Sequence, residues 1–371
     1  MLLFYILLGL LIVYGILIIY YRMGWKTIPP FIADQIIPQL RISIIVAARN
    51  EEKVIGRLLK SLTEQTYPSE LYEIIVVDDH STDATAKIVQ HFSKVRLIQL
   101  EENNLNSYKK KAIETGIAAA TGDWIVTTDA DCVAPPNWLL TIASFKEKTN
   151  AVFIAAPVVM ETNRTILQNF QALDFLTMQG ITAASVQHKF HTMCNGANLS
   201  FEKKVFDEVG GFTNIDHISS GDDMFLMHKI AQIHPSGVSY LQSKDALINT
   251  EAQVTWNDFF QQRIRWASKA THYKDINIFV VLLLVYVLNL FLFFIFLVGF
   301  WQQKFWIYFV FGATTKAIIE WLLVHPVAKF YGKQHLIKFL FLYQPLHIIY
   351  VLLAGWLGTF GNFEWKGRTV K

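Results

Sequence analysis

Charge is scarce in this chain. Only 17% of its 371 residues are Asp, Glu, Lys or Arg, while 53% are hydrophobic. Soluble domains carry about 25% charged residues, so part of the chain belongs in lipid. Cysteine is scarcer still. Cys132 and Cys194 stand alone, with no CxxC, which excludes a disulfide framework and fits a reducing compartment. Neither GxGxxG nor GxxxxGK[ST] occurs, so no dinucleotide fold and no P-loop is indicated. The formal charge of +3 is small, and no basic stripe interleaved with aromatics is present, so nucleic acid is not an expected partner. Residues 39–275 show neither internal repeats nor low-complexity tracts.

What is present is long apolar runs at both ends. Residues 2–21, LLFYILLGLLIVYGILIIYY, carry no charge. Twenty helical residues rise about 30 Å, the thickness of a hydrocarbon core. The run is too long for a signal peptide, and neither a basic residue before it nor a small-residue cleavage site after it marks one. It is expected to be an anchor. Arg22 and Lys26 follow directly, which places the next domain in the cytoplasm. From Ile276 the chain is lipid-like again. INIFVVLLLVYVLNLFLFFIFLVGFW reads as a span, FWIYFVFGATTKAIIEWLLV as a second, and LIKFLFLYQPLHIIYVLLAGWLGTF as a third, interrupted by Pro345. The second holds Lys316 and Glu320 at i, i+4 spacing, able to pair on one face and expected to look into the helix bundle. Lys329, Lys333 and Lys338 between the second and third suit a cytoplasmic loop. Counting spans then puts the basic tail WKGRTVK outside, against the positive-inside tendency, unless the last segment is re-entrant or interfacial. The expected division is an anchor at 2–21, a cytoplasmic domain at 39–275 and a membrane region of about three segments at 276–361.

Between the apolar ends, strand and helix patterns alternate. RISIIVAA, YEIIVVDD, VRLIQLE and WIVTTDAD read as strands; EKVIGRLLKSLTEQ, ATAKIVQHFSK and KKKAIETGIAAAT read as helices between them. Such alternation predicts an α/β fold with a mostly parallel sheet, whose ligands bind beyond the carboxyl ends of the strands. Polar residues gather at those ends: Arg49, Asn50 and Glu51 after the first strand, Asp78 and Asp79 after the second, Asp129 and Asp131 after the fourth.

Each cluster has two readings. Asp129 and Asp131 offer only oxygens, with no His beside them, which suits Mg²⁺ or Mn²⁺; a solvated turn capping a helix near Pro135 and Pro136 is the structural alternative. One of Ser81, Thr82 and Asp83 is expected to cap the helix after VVDD, leaving an acid to accept hydrogen bonds from a nucleobase. Asp222 and Asp223 in SSGDDMFLMHKI sit where a helix dipole favours acids, or one of them is a general base. Gln262, Arg265 and Trp266 in FFQQRIRWASK are a juxtamembrane belt, or a phosphate-binding Arg beside an indole that stacks on a sugar. Of Lys109, Lys110 and Lys111, at least two are expected to be solvated and one to reach a phosphate.

Taken in order, these stretches resemble the membrane-bound family 2 glycosyltransferases of the GT-A fold over about residues 40–270. IIVAARNEEKVIGRLLKSLTEQTYP resembles the family's opening strand and helix, IIVVDDHSTDAT its nucleotide-binding strand, KKKAIETGI its lysine-bearing helix and GDWIVTTDADC its DxD strand. CNGANLSFEKKVFDEVGGF resembles the acceptor-side segment, SGDDMFLMHKI the ED motif and QRIRW the QxxRW motif. The resemblance implies a GT-A, Rossmann-like catalytic domain flanked by transmembrane helices, in the inner (cytoplasmic) membrane of the cell envelope. It implies that Ala47, Arg49 and Glu51 line a nucleotide site, that Asp79 contacts the base and that Lys109 contacts base or phosphates. Asp129 and Asp131 would hold ribose or phosphate and a divalent cation, with Asp131 the firmer ligand. Asp223 would be the catalytic base, with Asp222 standing where the family has Glu. Gln262, Arg265 and Trp266 would bind diphosphate and acceptor.

The implied reaction is inverting transfer of a hexosyl or N-acetylhexosaminyl group from a nucleotide-sugar donor, expected to be a UDP-sugar, to a lipid or glycan acceptor. A processive polysaccharide synthase of the same fold is the alternative; Lys316 and Glu320 are its only polar pair within the spans. An inactive nucleotide-sugar sensor and a nucleotidyltransferase are alternatives of other classes. Intact DAD and GDD motifs speak against the sensor, and a nucleotidyltransferase has no need of QxxRW beside a span.

Overall fold

The computed structural model describes residues 1–371 except 34–36, 104, 164, 219, 274, 362, 367 and 371. It opens on helix α1, Leu2–Thr27, and then divides into two compact units that do not follow chain order. One comprises Ile28–Glu161 and Thr192–Glu251; the other comprises Met1–Thr27, Thr162–His191 and Ala252–Lys371.

The first of these is the α/β unit. Its strands are β1 (Ile42–Ala48), β2 (Tyr72–Asp78), β3 (Val95–Gln99), β4 (Trp124–Asp129), β5 (Phe153–Ala155), β6 (Val158–Glu161), β7 (Leu199–Glu202), β8 (Val238–Tyr240) and β9 (Ile248–Glu251). Its helices are α2 (Ile55–Thr63), α3 (Thr85–Gln90), α4 (Tyr108–Ala119), α5 (Trp138–Lys148), α7 (Lys203–Glu208) and α8 (Asp222–Ile233). The main sheet runs β3-β2-β1-β4-β7-β5-β8. The first four are mutually parallel, and β7 lies antiparallel to β4 and β5. A second, two-stranded sheet pairs β6 with β9 in parallel.

All four strands read from the sequence form, each followed by the helix or turn expected. β1 and β4 are buried on both faces, which is why they read as continuous apolar runs rather than alternations. The strand order reverses between β1 and β4. That switch point opens a crevice beyond their carboxyl ends, and parallel register places Ala47 beside Asp129 there.

The N-terminal end of β4 is fastened at Gly122. Its N–H donates to Ser43 Oγ at 2.9 Å, and Ser43 Oγ donates to Glu73 Oε1 at 2.6 Å. A Cβ on Gly122 would lie 2.8 Å from Ser43 N and 2.9 Å from Arg41 O. Backbone cannot yield as a side chain can, so Gly122→Ala is expected to cost about 1–3 kcal/mol. Thermal unfolding of the purified variant checks this, and an unchanged midpoint counts against it.

The helical unit contains α1, α6 (Ile166–His188), α9 (Trp256–Ala267), α10 (Ile276–Val298), α11 (Lys304–Phe330) and α12 (Gln344–Phe360). Three of these, α1, α10 and α11, are long and apolar enough to cross a membrane. α12 has 17 residues, a rise of about 26 Å, and is short for a 30 Å core. Pro345 lies in its first turn, where a missing N–H costs nothing, rather than breaking it midway. The tail residues Gly367 and Lys371 lie outside the described residues.

α11 runs through Pro326. Proline withdraws the hydrogen bond that the carbonyl four residues earlier would accept. That carbonyl, of Leu322, accepts instead from Arg22 Nη1 at 2.7 Å. The basic residue after the first apolar run thus mends a helix three hundred residues on. Lys316 and Glu320 do pair, at 2.6 Å, and both are buried. The partners that close the pair come from α12 and α1.

Candidate active site

The loops beyond β1 and β2 are bonded into one body. Asn50 N–H donates to Ser81 Oγ at 3.0 Å and Glu51 N–H to Thr85 Oγ1 at 2.8 Å. Thr82 N–H returns to Asn50 Oδ1 at 2.8 Å. Asp83 serves the start of α3, its Oδ1 accepting from Thr85 N–H at 2.9 Å. Asn50 and His80 take positive φ, 51° and 53°, a conformation that Asn and His tolerate better than most side chains. Arg49 Nη1 donates to the carbonyls of Asp79 and His80 at 2.8 and 3.1 Å, and His80 Nδ1 lies 3.0 Å from Asp79 Oδ1. Arg49, Glu51 and Asp79, singled out from sequence, therefore share one preformed rim.

The second cluster centres on Lys109, in the first turn of α4. Its Nζ donates to Asp129 Oδ1 at 2.7 Å and lies 3.5 Å from Asp222 Oδ2. Its side chain is 25% exposed. Burial opposes its charge, but the carboxylates of Asp129, Asp222 and Asp223 outweigh that and hold the ammonium well above its ordinary range. Asp223 Oδ2 accepts from Gly196 N–H at 3.0 Å. Gly196 sits among these groups: a Cβ there would meet Asp222 Oδ2 at 3.4 Å and Lys109 Nζ at 3.6 Å. Gly196 was not among the residues singled out; the Asn195–Gly196 turn signal is the clue the sequence held. Gly221, at φ 81°, turns the chain into α8 and presents Asp222 and Asp223 in its first turn.

Asp129 ends β4, and Asp131 follows in the turn. The structural alternative for the pair, a helix cap, does not hold: α5 starts at Trp138 behind Asn137. Asp129 is 38% exposed, and no group of three or more His, Cys, Asp and Glu side chains fit to hold an ion occurs among the described residues. Burial, then the neighbouring Asp131 and Asp129, push the Cys132 thiol well above its usual range, so it offers no thiolate. This donor set fits a hard cation completed by phosphate oxygens and water, not an all-protein cage.

The expectation of two solvated lysines on α4 is corrected. Lys110 is 2% exposed. Its Nζ donates to the carbonyls of Ile215, at 2.8 Å, of Ser220, at 3.1 Å, and of Ile218. It lies 5.7 Å from the centre of the Phe225 ring. A buried ammonium is tolerable because carbonyl oxygens replace its water. Lys111 faces outward to Glu102 and Glu114. α4 therefore aims Lys109 at the acids while Lys110 clamps the loop that delivers them. Lys110→Met is expected to lower turnover by about 10²-fold, as a small misplacement of reacting groups does, with nucleotide affinity changed less than about threefold. Initial rates and calorimetric titration of the nucleotide separate the two.

Gln262, Arg265 and Trp266 lie on α9, in the helical unit. Gln262 Oε1 is buried without a hydrogen-bond partner among the described residues. One face of the Trp266 indole is already occupied, by the guanidinium of Arg263 at 4.3 Å from the ring centre.

A parallel half-sheet in the order β3-β2-β1-β4, followed by antiparallel β7 and ending in acids at its switch point, is the GT-A fold. Residues 43–210 match the family model Glycosyl transferase family 2, and the chain carries a glycosyltransferase domain of that family. A mannosyltransferase from Pyrobaculum calidifontis, solved with GDP-Man and Mn²⁺, shares the fold over 96% of both chains at a TM-score of 0.58 and 19% identity. The probable glycosyltransferase YdaM of Bacillus subtilis is 24% identical over 61% of this chain and 54% of its own length. A beta-monoglucosyldiacylglycerol synthase of Synechocystis is 26% identical over 62% of this chain and 48% of its own. The chain thus spans about half the length of these curated relatives.

Proposed function

We propose that the protein is an inverting glycosyltransferase that moves a hexosyl or N-acetylhexosaminyl group from a UDP-sugar to a lipid acceptor at the membrane. The observation that carries this is the convergence of Asp129, Asp222 and Asp223 on Lys109 beyond the switch point of a GT-A sheet. Arg49, Glu51 and Asp79, with Ala47 at the strand end, form the nucleotide side. Asp223, oriented by Gly196 N–H, takes the proton of the acceptor hydroxyl as its oxygen attacks the anomeric carbon. The bond to the diphosphate breaks on the opposite face, so an α-linked donor gives a β-linked product. Lys109 carries positive charge toward the departing diphosphate. A divalent cation, Mg²⁺ or Mn²⁺, held by Asp131 and Asp129 would supply further neutralisation there when bound. The family's QxxRW motif assigns acceptor and diphosphate contacts to Gln262, Arg265 and Trp266.

The lipid acceptor is supported by three helices fit to cross a membrane and by the relative that makes a glycosylated diacylglycerol. Arg22 and Lys26 near the end of α1, with Lys329 in the last turn of α11 and Lys333 and Lys338 after it, favour a cytoplasmic catalytic unit. The polar pair a polymer channel would want, Lys316 and Glu320, is closed by its neighbours: Lys316 Nζ donates to Gln344 Oε1 at 2.9 Å, and Tyr14 donates to Glu320 at 2.8 Å.

The test is incubation of the purified full chain with UDP-, GDP- and dTDP-sugars and Mn²⁺, with and without lipid extract. Release of UDP together with a single glycolipid is expected. A ladder of polymer means a processive synthase, and UDP binding without turnover of any acceptor means a sensor.

A further inference from the structure

Arg263, inside QRIRW, is 1% exposed in the helical unit. Its Nη2 lies 3.1 Å from Asp174 Oδ2 on α6, while its Nε and Nη1 have no hydrogen-bond partner among the described residues. Aromatic rings enclose it instead. Trp266 lies at 4.3 Å, Phe259 at 5.2 Å and Tyr350 of α12 at 5.8 Å from ring centre to guanidinium carbon. Behind Asp174 a line of buried polar groups continues. His347 Nε2 lies 3.9 Å from Asp174 Oδ1, and His347 Nδ1 lies 3.3 Å from Lys316 Nζ. Lys316 bonds Glu320, and Glu320 accepts from Tyr14 of α1 at 2.8 Å. The line joins α9, α6, α12, α11 and α1.

A guanidinium enclosed in this way reaches neither solvent nor a ligand. What it does reach is the indole of Trp266, three residues along the same helix face. A guanidinium held over the indole face at 4.3 Å restrains the ring's orientation through a directional cation–π contact, which an alkyl neighbour would not. We infer that Arg263 is a positioning residue: it sets the plane of Trp266 and, through Asp174 and the polar line behind it, fixes the rotation of α9 against the apolar helices. This rests on the proposed role of Gln262, Arg265 and Trp266 toward diphosphate and acceptor.

A merely structural ion pair and a positioning residue behave differently when both partners are removed. Replacing a buried pair by apolar residues of similar volume is often neutral for stability. The double variant Arg263→Met/Asp174→Leu is therefore expected to unfold near the wild-type temperature, yet to lose about 10- to 100-fold in kcat/KM for the lipid acceptor. Arg263→Lys keeps the charge but not the plane, and should fall between the double variant and wild type; it also serves if the double variant does not fold. Trp266→Ala is the control. Impaired Trp266→Ala beside fully active Arg263 variants overturns the inference alone. Wild-type transfer by Trp266→Ala overturns the underlying role of the motif.

Discussion

Asp223→Asn is expected to lower turnover by about 10³-fold, within the range that a positioned general base supplies, while UDP affinity stays within about twofold. The amide is nearly isosteric, and its oxygen can still accept from Gly196 N–H, the bond that now holds Asp223 Oδ2 at 3.0 Å. What it would lose is the proposed capacity to take a proton from the acceptor hydroxyl. The rim proposed to bind nucleotide, Arg49, Asn50, Glu51 and Asp79, has its own hydrogen bonds, so binding there is expected to be unchanged. Asp222→Asn should cost less. Asp222 lies 3.5 Å from Lys109 Nζ, and its part is to hold that ammonium among the acids. A combined measurement of single-turnover rate and UDP titration decides the matter. An Asp223→Asn enzyme within about threefold of wild-type rate would remove Asp223 as the base.

Asp131→Asn is expected to reduce turnover by about 10²- to 10³-fold, the scale seen when one preorganised electrostatic contact to a developing charge is removed. The Mn²⁺ concentration for half-maximal rate should rise in parallel, because an amide oxygen is a weaker ligand for a hard cation than a carboxylate. Asp129 compensates only in part, since Lys109 engages its Oδ1 at 2.7 Å and leaves only Oδ2 for an ion. Wild-type activity should likewise disappear with chelator and return with added Mn²⁺ or Mg²⁺. An Asp131→Asn enzyme with an unchanged metal titration would show that the turn after β4 does not hold the cation.

Much of the α/β unit was legible because its signals are local. β1, β2 and β4 are buried parallel strands, so each reads as a largely apolar run rather than an alternation, and each ends where polar residues gather. The acids at those ends are at odds with their buried strands, and such conflicts between a residue and its local structure mark functional sites. Among three adjacent lysines, only the family resemblance pointed to Lys109; the residues by themselves left the choice open. Only the turn of α4 against the sheet sends Lys109 to Asp129 and Lys110 to carbonyls more than a hundred residues away.

By itself, then, the sequence determined the strand–helix alternation, the apolar terminal helices and the set of acids available for chemistry. These follow from periodicity, length and charge, which are properties of short windows. The tertiary structure alone decided that Lys109 pairs with the acids while Lys110 is buried on carbonyls, that α6 and α9 belong with the apolar helices, and that Arg22 repairs the carbonyl Pro326 leaves open. It also decided that Lys316 and Glu320 are sealed by Gln344 and by Tyr14, a residue 306 positions from Glu320. Those pairings arise because buried charges and orphaned carbonyls must find partners wherever packing brings them, and packing has no trace in any single stretch of chain.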